Sequence, residues 1–142
     1  MTKTRTRLRK TGIGEPRARL FLFSSETEGL FGDGRWRLLA AVREHGSIQE
    51  AARRLGRGYR KAWGDIKRAE EGFGQRIVRK TRGGPSGGRT ELTDFGNRLV
   101  DAWAAYRAEV HSRMHEAFSE HLEGIIGSAN EGEAADGAER GR

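Results

Sequence analysis

The apolar positions of this 142-residue chain change period several times, and each change marks an element. ARLFLF (18–23) is a continuous apolar run rich in Phe and Leu, which predicts a short strand. Glycines at 29, 32 and 34 predict a loop, and from about Gly34 to Glu44 the apolar spacing lengthens to three and four. Trp36, Leu39, Ala40 and either Val42 or Arg43 then share one helical face. Gly46 ends that helix. Ser47 followed by Glu50 is a capping-box pattern, in which each side chain can satisfy the other's backbone amide. Ile48, Ala51, Ala52 and Leu55 give the buried stripe of a short second helix, and Gly56 suits a tight turn with positive φ. A third helix is predicted from about Gly58 to Glu71, because Ala62, Ile66, Ala69 and Phe73 fall at i, i+4, i+7 and i+11.

Beyond it the period shortens to two in RIVRKT (76–81). A glycine-rich loop (82–89) and TEL (90–92) follow, which predicts a β-hairpin with a long basic tip. Thr93 caps a helix that starts at Asp94, with Phe95, Leu99, Trp103, Tyr106, Val110, Met114, Phe118 and Leu122 three and four apart. A helix of about 28 residues with one continuous apolar seam outgrows a small core and needs a partner helix, most simply its own copy. Leu99, Trp103, Tyr106, Val110, Met114 and Phe118 are therefore the candidate dimer interface. The predicted fold class is mainly α with a small β-hairpin (α+β). Its organisation is a flexible arm (1–16), a compact domain (17–93), a long dimerisation helix (94–126) and a disordered tail (127–142).

Charge sharpens this picture. Residues 1–90 hold 22 Lys and Arg against 9 Asp and Glu, whereas residues 91–142 hold 5 against 11. The net charges of +13 and −6 sum to the chain's +7, so the positive field belongs to the N-terminal two-thirds. Such a field suits a polyanion, because each neutralised phosphate releases counterions. There is no cysteine, hence no disulfide, thiolate metal site or Cys nucleophile. No apolar run is long enough to span a membrane, and the basic start lacks the apolar stretch of a secretory signal, so a cytoplasmic protein is expected.

The positive charge concentrates on the third helix. At 100° per residue its outward face presents Arg57, Arg60, Lys61, Gly64, Lys67 and Arg68. Asp65 and Glu70 are too few to lace this stripe with i, i+4 pairs, so a merely solvated face fits poorly. Gly64 costs about 1 kcal/mol relative to Ala in a helix interior, a cost that makes sense where something must approach the backbone closely. This is the arrangement that lays a helix into the major groove of DNA. Arg57, Arg60 and Lys61 are expected to meet bases, with Gly58 and Tyr59 beside them, and Lys67 and Arg68 to meet phosphates. Trp63, on the flank, is assigned to packing between helices, with stacking on a ribose as the weaker reading. The arm residues Lys3, Arg5, Arg7, Arg9 and Lys10 either track the DNA backbone or form a disordered start.

Two other chemistries fare worse. GGPSGGRT (83–90) is close to the phosphate-binding pattern G-x-x-x-x-G-K-[ST], yet Arg89 replaces the lysine and only TEL separates it from the next element. A wing tip with Arg82 and Arg89 as charges accounts for the same residues, and no enzymatic activity is expected. His111 and His115 stand four apart, with Glu116 and His121 near them, a spacing able to chelate zinc. Val110, Met114 and Phe118 occupy the same helix as an apolar seam, so surface or interface histidines are the preferred reading. No metal and no cofactor are expected.

GSIQEAARRLGRGYRKAWGDI and VRKTRGGPSGGRTELTDFGNRLV closely resemble the N-terminal domain of the ModE family of molybdate-responsive transcription regulators, and more distantly the LysR-type DNA-binding domain. The telling points are G-S-I before the second helix, Y-x-x-A-W in the third, and the T-x-G-G…G-G…L-T-x-x-G wing and exit. The similarity covers roughly residues 18–115. It implies a winged helix-turn-helix in which the third helix enters the major groove, the hairpin touches backbone as a wing, and the long helix dimerises. Carried onto this sequence, Gly58, Tyr59, Arg60 and Lys61 lie at the recognition end. Ser47 and Gln49 at the start of the second helix, and Arg79, Lys80, Thr81, Arg82 and Arg89 of the wing, complete the expected contacts. The implied partners are double-stranded DNA and a second copy of the chain. Molybdate-sensing members carry an oxyanion-binding domain after the long helix; this sequence is expected to lack it, which leaves the effector unknown. The alternative is a molybdate or tungstate sensor that uses the Gly-rich basic wing as its anion site.

Overall fold

The computed structural model describes residues 15–26, 29–82 and 88–128. The basic arm through residue 14, the wing-tip residues 83–87 and the tail from residue 129 lie outside the described residues. Arg19–Arg107 form one compact unit; residues 15–18 and 108–128 belong to a second.

The compact unit begins with β1 (Phe21–Leu22), which pairs antiparallel with β2 (Phe31–Gly32). The strand predicted over 18–23 is thus only two residues long, and Phe21 and Phe23 expose their rings. The cause is the partner. Helix α1 (Asp33–His45) starts directly after Gly32 and ends the ladder, so the Leu20 amide donates to the Asp33 carboxylate at 3.1 Å instead. Gly46 terminates α1 in the left-handed region (φ 68°), with its N–H donating to the Val42 carbonyl. Leu38, Leu39 and Val42 point inward, and Arg43 reaches Asp101 at 2.9 Å, which resolves the ambiguous position of the sequence pattern in favour of Val42.

Helix α2 (Ile48–Arg54) opens on Ser47, whose hydroxyl accepts the Glu50 amide at 3.1 Å. Only half of the predicted capping box forms. The Glu50 carboxylate turns outward to Arg53 (2.7 Å) and Arg54 (3.0 Å), because two guanidiniums offer it charge-assisted bonds where Ser47 offers one neutral amide. Those two arginines hold the Glu50 carboxyl at about 2. Gly56 (φ 66°) turns the chain into α3 (Tyr59–Phe73). Ala51, Ala52 and Ala62 are fully buried, and their small side chains let these helices approach closely.

After Gly74 the chain enters a hairpin, β3 (Val78–Thr81) paired antiparallel with β4 (Arg89–Leu92), in the register Val78↔Leu92 to Thr81↔Arg89. Its base is clamped. The Glu70 carboxylate of α3 accepts the amides of Ile77 (2.7 Å) and Val78 (3.3 Å), and the Thr93 hydroxyl donates to the Arg76 carbonyl at 2.6 Å while accepting the Gly96 amide. Gly96 is glycine for a steric reason, since a Cβ there would collide with the Ile77 carbonyl oxygen. The L-T-x-x-G exit is therefore a packing device that fixes the wing to α4 (Asp94–His121).

The first turns of α4 close the core. Val100 and Trp103 are buried beside Phe31, Leu38, Leu39, Val42 and Ile66, and Leu99 packs against this cluster. Trp103 is 4% exposed, meets the Phe31 ring edge-on at 5.1 Å and donates its indole N–H to Asp33 at 2.9 Å. Leu99 and Trp103 thus belong to the intradomain core rather than to an external seam. A heptad-like pattern cannot reveal which surface covers it, and here α1 and β2 cover its first half. In the second unit Val110, Met114 and Phe118 are half-buried, and residues 123–128 continue helically after a turn at Leu122.

Candidate nucleic-acid interface

α3 carries the interface because one face of it is fixed and the other is free. Ala62, Ile66 and Ala69 are buried and pin the helix by about 1.5–3 kcal/mol for a side chain the size of isoleucine. Glu70 pins its C-terminal end: burial raises the carboxyl's pKa, but the Ile77 amide, the Lys67 ammonium and the Val78 amide outweigh that and leave it lowered. Arg35 braces the flank, donating to the carbonyls of Gly29 (2.7 Å) and Leu30 (2.6 Å) while approaching Asp65 at 3.6 Å.

The predicted basic stripe divides into three groups. Arg60 and Lys61, on the first turn, are exposed, and their side chains have no partner among the described residues. Lys67 and Arg68 are paired at i, i+3, to Glu70 at 3.0 Å and to Asp65 at 3.4 Å. The sequence expectation that two acids could not lace the stripe is corrected: it considered only i, i+4, and i, i+3 lies equally close on a helix. Arg57 precedes the helix, half-buried, and donates to the Gly34 carbonyl at 2.9 Å. It braces the turn against α1 and does not stand on the outward helical face assigned to it.

Gly58 caps α3 with ordinary extended backbone (φ −68°, ψ 141°), and Tyr59 opens the helix 46% exposed. At Gly64 a Cβ would meet only the tip of Arg68 at 3.5 Å, so nothing inside the fold requires glycine there. Ser47 spends its hydroxyl oxygen on the α2 cap, and Gln49 is exposed beside it.

On the hairpin, Arg79 faces Glu91 across the ladder at 3.6 Å, and Lys80 and Arg82 are exposed. The Thr81 hydroxyl donates to the Arg89 carbonyl at 3.2 Å. Arg89 lies back over the α1–α2 corner: its guanidinium occupies the space a side chain at Gly46 would need, and the Thr90 amide donates to the Gly46 carbonyl at 3.0 Å. The wing is thereby tied to the start of α2. Arg89 and Thr90 are extended strand, not the helix that a phosphate-binding loop must run into.

Between α3 and the hairpin lies a cleft of ≈ 390 Å³ that gathers Lys67, Arg79 and Lys80 with Trp63, for which ribose stacking was the weaker sequence reading, and with Arg76 and Thr90, which the sequence did not mark for binding. Trp63 is 44% exposed, with the Lys67 ammonium 5.4 Å from its ring centre, so it is not the packing residue it was assigned to be. A signal existed for Arg76: alternation places it on one side with Val78 and Lys80.

Residues 34–97 match the family described as bacterial regulatory helix-turn-helix protein, lysR family. The chain is 36% identical over 95 residues to the molybdenum transport protein ModE of Azotobacter vinelandii, a match covering 67% of this chain and 35% of that protein. It is 38% identical over 69 residues to the molybdenum-pterin-binding protein MopA of Rhodobacter capsulatus, covering 49% and 26%. Among solved structures, ArgP from Mycobacterium tuberculosis shares 30% identity at a TM-score of 0.45, over 60% of this chain and 31% of that one. The chain spans about a quarter to a third of the length of the curated relatives it matches.

Proposed function

Because residues 34–97 form a LysR-type bacterial regulatory helix-turn-helix domain, similar to the one in ModE, we propose that this chain is a transcription regulator that binds double-stranded DNA in a sequence-specific manner. α3 enters the major groove with its first turn leading, and the hairpin lies along the backbone as a wing. The observation that carries this reading is the state of Arg60 and Lys61. They are the cations of the stripe left without a partner among the described residues, and they stand on the exposed leading turn of a helix pinned on its opposite face.

From Arg60 to Arg68 the cations run about 12 Å along the helix axis. One small oxyanion needs donors converging on a point; a row of this length fits a polymer of repeating charge. Molybdenum in the names of ModE and MopA is a property of those proteins and forms no part of this proposal. A homodimer through Val110, Met114 and Phe118 completes it, presenting two α3 helices to a two-fold symmetric site.

Selection of bound duplexes from a random pool tests the proposal. It expects enrichment of an inverted repeat with half-sites one or more helical turns apart. A pool that stays random at low salt contradicts it.

A further inference from the structure

β1 is an undefended sheet edge. Among the described residues it has one neighbouring strand, β2, and on that side the carbonyls of Leu20 and Leu22 accept the amides of Asp33 (2.9 Å) and Leu30 (3.0 Å). By the alternation of an antiparallel ladder, the N–H and C=O groups of Phe21 and Phe23 point the other way. Their rings are 68% and 66% exposed, and Leu22 between them is 38% exposed. Gly32 stands opposite Phe21, where a Cβ would lie 2.8 Å from that of Phe21, so β2 has no side chain to lay over the ring. Sheet edges are usually blunted by a charge, a proline or a bulge; residues 20–25, LFLFSS, hold neither charge nor proline. An apolar edge that also offers backbone donors and acceptors is a template for another strand.

The run itself selects the strand. Phe21-Leu22-Phe23 reads the same in both directions, so an antiparallel copy centred on Leu22 sets Phe21 against Phe23 twice and Leu22 against Leu22. This register also matches the outward backbone groups, because positions 21 and 23 then face each other. The flanks agree only in that sense. Arg19 precedes the run and Glu26 follows it, both exposed; antiparallel pairing brings opposite charges together, whereas parallel pairing would set Arg19 beside Arg19. We propose that the β1 edge is a self-association surface, on which the β1 of a second copy adds antiparallel about Leu22 to give a four-stranded sheet. Two strands alone are marginal, which is the gain in pairing them. A two-fold axis through Leu22 closes the contact. This surface is distinct from the α4 seam, and it buries less than about 1,000 Å², which places it among transient contacts.

The sequence has no cysteine, so a single introduced thiol reports the contact alone. The test oxidises three full-length variants with copper–phenanthroline: Leu22→Cys, Ser25→Cys, and Leu22→Cys carrying Phe21→Lys and Phe23→Lys. Facing positions of the non-hydrogen-bonded kind hold their Cα atoms about 4.5 Å apart, within disulfide reach. Position 25 lies about 20 Å from its own copy, six residues along the ladder. Leu22→Cys should therefore become a disulfide-linked dimer, and Ser25→Cys, also exposed, should stay monomeric. The two lysines should abolish the link. Every altered side chain is exposed, so thermal melts in reductant should match the wild type and show that each variant is folded. Val110→Asp added to Leu22→Cys should leave the link intact, which separates this surface from the proposed α4 dimer. No linked dimer from Leu22→Cys, or equal linking from Ser25→Cys, overturns the β1 pairing. So does a link that survives the two lysines, or one that disappears with Val110→Asp and is thereby a by-product of the α4 seam.

Discussion

The indole N–H of Trp103 donates to the carboxylate of Asp33 at 2.9 Å, joining residues 70 apart in sequence at the centre of the core. Asp33 also accepts from Leu20 and Arg107, so one carboxylate fastens the start of α1 to β1 and to α4. Trp103→Ala should destabilise the domain by about 3–5 kcal/mol, a large share of the total stability of a domain this size. Trp103→Asp should abolish the cooperative melt, since it places a second charge beside Asp33. Circular dichroism on heating checks both; a folded Trp103→Asp monomer would return this residue to an external seam.

Acid should act through the same kind of link. The carboxyls of Asp33 and Glu70 both lie below their ordinary values of 3.8 and 4.5. For Asp33, burial works against this, and the Leu20 amide, the Trp103 indole and Arg107 prevail. A carboxyl whose folded value is depressed stabilises the fold above its unfolded pKa and loses that contribution as pH falls through the folded one. Urea unfolding should therefore show no contribution to pH dependence from these two groups between about pH 6 and 8, and falling stability below about pH 4.5. Glu70→Gln should lower the neutral plateau by about 1–3 kcal/mol, because it weakens the two amide bonds at the base of the wing, and should flatten the acid limb. An unchanged plateau would contradict the role given to Glu70.

Two glycines should respond with opposite sign. Gly96→Ala drives a Cβ into the Ile77 carbonyl and should cost about 1–3 kcal/mol. Gly64→Ala meets only the flexible tip of Arg68 at 3.5 Å and should stabilise the helix by about 1 kcal/mol while weakening DNA binding, because the protein's own packing gives no reason for that glycine. Thermal melts read the first quantity and duplex titration the second. A Gly64→Ala variant that binds as well as wild type would remove the close approach from the account.

These particulars show where the sequence was transparent. Helix period is enough for the inward faces of α2 and α3, since Ala51 and Ile66 need only local spacing to be read, but for α1 it catches Leu39 and Val42 and misses the fully buried Leu38. The start of α4 at Asp94 was legible from Thr93. Arg57 was misread because a guanidinium can reach across the fold, to Gly34, and no local pattern encodes that reach. Trp103 was misread because the seam it belongs to is continuous while its coverings differ along the helix. The cleft lining was hidden for a related reason: Trp63 and Arg76 come together only when the hairpin folds back on α3.

Dimerisation should now be sought further along α4. Val110, Met114 and Phe118 lie outside the core cluster of the compact unit. Val110→Asp should shift the sedimentation coefficient from dimer to monomer and lower affinity for a two-half-site duplex. A dimer unaffected by this change would show that association uses another surface.

The central claim is that Arg60 and Lys61 read bases from the leading turn of α3. The most direct measurement is titration of wild type, Arg60→Ala and Lys61→Ala with the selected duplex and with a scrambled one at the same salt concentration. The account predicts a loss of about 10- to 100-fold on the selected duplex for each variant, and a much smaller loss on the scrambled one. Equal losses on both duplexes, or no binding by the wild type to either, would contradict it.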